Sequence, residues 1–225
     1  MDGGSTPDDT VTLRDMVVER IRSSIVSGRT APGTLFSVPT LADELNISTT
    51  PVREALLELA RSGLVTPRRN RGFRVEQISL EALHDLFFVR ELLERSAAET
   101  LARRRPGDAG ALRRLARAIE AAVAAGDVPA YIEGDRAFHK EFVAQAGNPL
   151  LTRLVMEARD AMRLYGIDTG PGRQRQQASV EEHFQLVDLV ETGAVEEASG
   201  MISHHILTWK PIFTAAIERR GTTML

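Results

Sequence analysis

The sequence predicts a mainly α protein in two parts, and three observations lead there. Extended runs bounded by turn residues occur only before Ser79, in "LVTP" and "GFRVEQI". Beyond Ser79 no strand signal returns, and apolar residues recur at helical spacing between Gly and Pro breakers. Aromatic residues make up only 5% of the chain, so its cores must be built from Leu, Ala, Val and Ile, and the Ala- and Leu-rich segments favour helix.

In the first part, Leu13, Val17, Ile21 and Ile25 stand four apart and give residues 11–27 one apolar stripe. Gly28 ends that helix and Ala31-Pro32-Gly33 turns the chain. Leu41, Ala42 and Leu45 mark a short second helix. Ser37 or Thr40 can cap it, and Asn46 ends it in a left-handed turn that Asn tolerates. The third helix lies in "ISTTPVREALLELARSGLV", residues 47–65. Val52, Ala55, Leu56, Leu59 and Ala60 form its apolar face, and Gly63 stops it. The two extended runs flank Pro67-Arg68-Arg69-Asn70-Arg71 and read as a hairpin with a basic tip. Three helices and a hairpin over residues 11–78 make a winged helix-turn-helix. Residues 1–10, "MDGGSTPDDT", are acidic and polar and read as a disordered leader.

Residues 79–225 read as an all-helical bundle. Helices are expected at about 79–105, 108–126, 129–146, 149–164, 177–192 and 195–219. Pro106-Gly107, Gly126-Asp127, Gly147-Asn148-Pro149 and Gly193 separate them. Pro129 and Pro149 fall in first turns, where a missing N–H is harmless. The stretch 166–177, "GIDTGPGRQRQQ", reads as a loop.

Composition narrows the function classes. Cysteine is absent, which removes disulfides and thiolate metal ligands and fits a reducing compartment. No apolar run approaches the roughly 18–20 residues of a membrane span, so a cytoplasmic protein with no membrane partner is expected. The formal net charge of −3 argues against nucleic acid, but a sum hides local asymmetry. From Arg61 to Arg74 the charged residues are Arg61, Arg68, Arg69, Arg71 and Arg74, without an acid among them.

The third helix opens with Ser48, Thr49 and Thr50 and carries Arg53 in its first turn. Unsatisfied N–H groups, short hydroxyls and a guanidinium at one helix end suit phosphates and base edges in a major groove. Arg53 is expected on phosphate or guanine, the hydroxyls on backbone or thymine methyls, and Arg68, Arg69 and Arg71 on phosphates. Each residue alone has a plainer role: Ser48 or Thr49 as a helix cap, Arg53 as a partner of Glu54 or Glu58.

In the second part, Asp135 and His139 are four apart, and Phe142 and Ala146 continue their face toward a core. His183 and the doublet His204-His205 follow on later helices. One carboxylate and three imidazoles meeting inside a bundle would make a site for a divalent metal. The pair could equally be a helix-stabilising contact. Arg90 and Glu94, again four apart, read as an ion pair, or Arg90 reaches a ligand's carboxylate.

"SVPTLADELNISTTPVREALLELARSGLVTPRRNRGFRV" resembles the DNA-binding half of GntR-superfamily bacterial transcription regulators, through Thr50–Leu56, Gly63–Val65 and the wing at Arg71, Gly72 and Phe73. Many members carry Arg where this chain has Pro39 and Thr49, which leaves the operator sequence open. Asp135-x-x-Phe138-His139, then Asn148-Pro149-Leu150 and the later histidines, are similar to the FCD domain of the FadR-like branch. The resemblance implies a divalent metal, often zinc, held by Asp135, His139, His183 and His205. His205 fits that spacing better than His204, and the two project about 100° apart on a helix. A small carboxylic acid effector over the metal, with Arg90 as its contact, a homodimer on palindromic operator DNA, and repression are implied too. A metal-dependent hydrolase or lyase, or a regulator sensing the ion itself, are the alternative functions.

Overall fold

The computed structural model describes residues 12–162 and 164–222; the expected leader lies outside them. The chain divides into two compact units, Met1–Arg22 with Pro32–Glu76, and Ser23–Ala31 with Gln77–Leu225. The division falls within the first helix.

In the first unit, α1 (Leu13–Val26) buries Val17, Val18 and Ile21, one apolar side of its pattern. A two-residue strand, β1 (Leu35–Phe36), leads to α2 (Val38–Leu45). Asn46 then takes the left-handed conformation (φ 52°, ψ 46°) that lets the chain turn directly into α3 (Thr49–Arg61). Helix α3 buries Val52, Ala55, Leu56 and Leu59 and packs against α2. Strands β2 (Val65–Arg68) and β3 (Gly72–Val75) form the hairpin, and β1 adds to it in the order β1-β3-β2, all antiparallel. Strand β1 was not expected, because two residues are too short to show alternation. It meets β3 in the register Phe36↔Phe73. Gly72 makes this approach possible: its φ is 104°, and a Cβ there would lie 2.0 Å from the Phe36 carbonyl oxygen.

The second unit contains α4 (Leu80–Arg104), α5 (Ala109–Ala125), α6 (Val128–Ala144), α7 (Pro149–Ala161), α8 (Gly170–Thr192), α9 (Val195–Leu207) and α10 (Lys210–Thr222). Their starts follow the capping rules. Ser79, Asp108, Asp127 and Asn148 each accept a backbone N–H three residues on. Leu83, Phe87, Leu101, Phe138, Phe142, Leu186 and Ile202 belong to one continuous apolar core.

Two expectations need correction. Helix α8 begins at Gly170, inside the stretch read as a loop. Thr169 caps it, Pro171 occupies the first turn, and Gly172 sits where any Cβ would strike the carbonyl oxygens of Gly166 and Ile167. Close packing outweighs the poor helix propensity of Gly and Pro there. Residues 195–219 are not one helix either. The chain breaks between α9 and α10 because Pro211 has no N–H for the Leu207 carbonyl.

Candidate functional site

The first unit exposes the polar start of α3. Ser48 holds the N-cap position in extended conformation, yet its hydroxyl makes no cap hydrogen bond. Ser48, Thr49 and Thr50 are exposed. Arg53 is exposed as well, and among the described residues it has no ion pair with Glu54 or Glu58; Glu58 instead lies 3.7 Å from Arg14. Arg53, Leu57, Pro39, Arg68, Arg71 and Phe73 line one groove between helix and hairpin. Arg68, Arg69 and Arg71 are exposed around the hairpin tip, and among the described residues Arg68 alone of the three has an acidic neighbour, Glu76 at 3.5 Å. Asn70 (φ 59°) makes the turn, closed by an Arg71 N–H to the Arg68 carbonyl. Arg53 on α3 and a cationic loop thus border one open groove; Ser48, Thr49 and Thr50 lie outside its lining.

The second unit brings Asp135, His139, His183 and His205 together. One donor atom from each lies within 4.8 Å of all the others. Helix α6 supplies Asp135 and His139, α8 supplies His183 and α9 supplies His205. His139 and His183 are fully buried and His205 nearly so, whereas the side chain of His204 is 60% exposed. The 100° between neighbours on a helix puts only one of the doublet inside.

Each ring is set by its surroundings. His205 Nδ1 lies 2.7 Å from Glu182 Oε2, a hydrogen bond to a carboxylate. His139 Nδ1 is 3.2 Å from Glu94 Oε2, at ion-pair distance but off a good hydrogen-bonding line. Both rings turn Nε2 inward, and these two atoms are 3.1 Å apart, the spacing of a hydrogen bond when one of them carries a proton. With both nitrogens bare, their lone pairs would repel at that distance unless a cation sat against both. Two nitrogens that each sit about 2.0–2.1 Å from one zinc ion would be roughly 3 Å apart. Among the described residues His183 has no hydrogen-bond partner at either nitrogen; its Nε2 is 3.4 Å from Asp135 Oδ1, and Phe138 packs against its ring edge to face.

Charge surrounds the cluster in pairs. Arg90 Nε donates to Glu94 Oε1 at 2.8 Å, and Arg159 spans Glu94 (3.0 Å) and Asp135. Burial alone would raise the Glu94 and Asp135 carboxyls. Arg90 and Arg159 around Glu94, and Arg159 with His139 beside Asp135, hold both well below the ordinary range. Burial pushes His139 down to about 3, with Arg159 adding to it, and His205 down to about 4 against the pull of Glu182. Ionised carboxylate and neutral imidazole are the forms that bind metal. Beside the cluster is a cavity of about 30 Å³, lined by Arg90, Tyr131, Asp135, Arg159, His205 and Trp209 among others.

Arg90 therefore has both features weighed from sequence, a buried ion pair and a place on the cavity wall. Sequence reasoning missed Arg159, Arg175 and Glu182, and missed that Glu94 backs His139. No local spacing links Arg159 to Asp135 or Glu182 to His205, and Arg175 stood in the stretch read as a loop.

Comparison with known proteins matches both units. Residues 13–75 match the family described as "Bacterial regulatory proteins, gntR family", and residues 85–208 match the FCD domain. The chain is 28% identical over 215 residues to the "Probable D-xylose utilization operon transcriptional repressor" of Paenarthrobacter nicotinovorans, covering 94% of this chain and 93% of that one. It is 28% identical over 185 residues to the "Nta operon transcriptional regulator" of Aminobacter aminovorans, covering 80% and 85%. The solved structure of McbR/YncC from E. coli shares the fold, with a TM-score of 0.79 at 21% identity, over 91% of this chain and 98% of that one.

Proposed function

Because the chain belongs to the GntR family of bacterial regulatory proteins, in the group that carries an FCD domain, we propose that it is a repressor whose operator binding is governed by a small organic acid at a metal site in its helical unit. The families and relatives it matches are transcription regulators, not enzymes, so the hydrolase or lyase alternative is set aside. GntR regulators bind operator DNA.

On this reading Ser48, Thr49, Thr50 and Arg53 meet bases and phosphates in the major groove, and Arg68, Arg69, Arg71 and the backbone at Gly72 meet flanking phosphates. The exposure of Arg53 without an acidic partner supports it. Repression is the sign carried by the D-xylose operon relative's name. Two copies would read a two-fold operator. The apolar outward stripe of α4, with Phe88 63% and Leu92 54% exposed, supports pairing with a second copy. Action on DNA would keep the protein in the cytoplasm; no described helix is long and apolar enough to cross a membrane.

One observation carries the metal reading: the inward Nε2 atoms of His139 and His205, 3.1 Å apart, beside an Asp135 oxygen and an unpartnered His183. Three imidazoles and one carboxylate are a donor set that suits zinc. Asp135, His139, His183 and His205 would hold the ion, and when bound it supplies a Lewis-acidic position for a carboxylate. Charge supports an acidic ligand. Arg90, Arg159 and Arg175 are matched by Glu94, Asp135 and Glu182, so a divalent ion leaves two positive charges that an anion offsets. Arg90 on the cavity wall is the contact assigned to the effector. The ligand acts through its different affinity for the DNA-binding and non-binding arrangements.

Gel shifts on DNA upstream of the protein's own gene test this reading. They would compare zinc-loaded and chelator-stripped protein, with acetate, lactate and citrate as probes. An acid that shifts operator affinity only in loaded protein supports it; acid responses equal in both forms defeat it. The small cavity favours a second reading, in which the ion is itself the signal. Zinc alone would then move the operator affinity.

A further inference from the structure

The geometry points to Glu182, anchored by Arg175, as the residue that fixes which ring nitrogen of His205 faces the cluster. This inference rests on the metal reading above. It adds a positioning pair outside the four proposed ligands.

Glu182 stands on α8 immediately before His183, and 8% of it is exposed. Its two oxygens have different partners. Oε2 receives His205 Nδ1 at 2.7 Å and a hydrogen bond from Arg175 Nη2. Oε1 lies 3.5 Å from Nε2 of the exposed His204. An ionised carboxylate only accepts, so the His205 proton belongs on Nδ1 and Nε2 is left bare. That bare nitrogen is the one 3.1 Å from His139 Nε2.

Arg175 makes the arrangement possible. A buried carboxylate needs a cation, and the buried guanidinium of Arg175 provides one. The same Nη2 also donates to the backbone carbonyl of His205 at 3.2 Å. The guanidinium carbon lies 5.4 Å from the ring centre of Trp209, which holds it over an aromatic face. Arg175 thus grips both the carboxylate and the backbone of the residue that carboxylate orients. A ring free to take the other tautomer would present a proton, not a lone pair, to the ion.

Two measurements on the full-length protein test this. Long-range proton–nitrogen spectra of metal-free protein should show His205 protonated at Nδ1 in wild type, and a shift toward the Nε2–H tautomer in Glu182→Ala. In zinc competition titrations, Glu182→Ala and Arg175→Met should lose about 10–100-fold in affinity, Glu182→Gln less because it still accepts, and His204→Ala no more than about twofold. An Nε2–H tautomer in wild type overturns the inference, as does wild-type zinc affinity in both Glu182→Ala and Arg175→Met. If Glu182→Ala does not fold, the isosteric Glu182→Gln, compared with Arg175→Met and Arg175→Lys, decides. Retained charge in Arg175→Lys should restore part of the affinity, and equal affinity across these three variants and wild type overturns the proposal. Wild-type protein that shows the Nδ1–H tautomer but binds no zinc defeats the metal reading and leaves the positioning role standing.

Discussion

The two candidate sites treat arginine in opposite ways. In the first, Arg53, Arg69 and Arg71 are exposed with no acid paired to them among the described residues. In the second, Arg90, Arg159 and Arg175 are almost wholly buried, each on a carboxylate. A guanidinium left in water keeps its charge available to an outside phosphate at little desolvation cost. A guanidinium taken inside must be matched, and it then serves geometry. The first arrangement suits a polyanion arriving from outside, as proposed above. The second holds neutral imidazoles and ionised carboxylates in fixed orientations around one point.

The contrast can be broken most forcefully at the cluster itself. His139→Ala should reduce zinc affinity by more than about 100-fold, beyond the range of outer-shell partners; elemental analysis of the purified variant checks it, and full occupancy would show the wrong ligands. Next comes the buried charge. Glu94→Ala strands Arg90 and leaves Arg159 with Asp135 alone, and should cost about 3–5 kcal/mol of stability, read by chemical denaturation. The exposed arginines should behave differently. Arg53→Ala should weaken operator binding by about 1–3 kcal/mol with the denaturation midpoint unchanged, and a stability loss with unaltered DNA affinity would reverse the assignment. The smallest effect belongs to Arg69→Ala or Arg71→Ala. Each should lower the slope of log affinity against log salt by about one, with little change of sequence preference.

Legibility in the sequence followed the same division. The helix-turn-helix and its hairpin depend on neighbours in the chain, so turn residues, periodicity and the acid-free run from Arg61 to Arg74 made them readable. Asp135 and His139 were visible as a helical pair four apart. The convergence of His183 and His205 with them was not readable from spacing, and entered through the family pattern. What stayed hidden was long-range. Arg159 reaches Asp135 across 24 residues, and Glu182 reaches His205 across 23. Local composition misled at Gly170–Gly172, where close backbone packing decides the conformation. The two-residue β1 carried no pattern at all.

That short strand matters for how the first unit meets DNA. Because the Gly72 backbone lies directly over the Phe36 carbonyl, the tip end of the hairpin, where Gly72 pairs with Arg68, is locked to the segment that enters α2. On the DNA-binding reading proposed above, hairpin and α2 would approach a duplex as one body, so groove width would be sensed by both together.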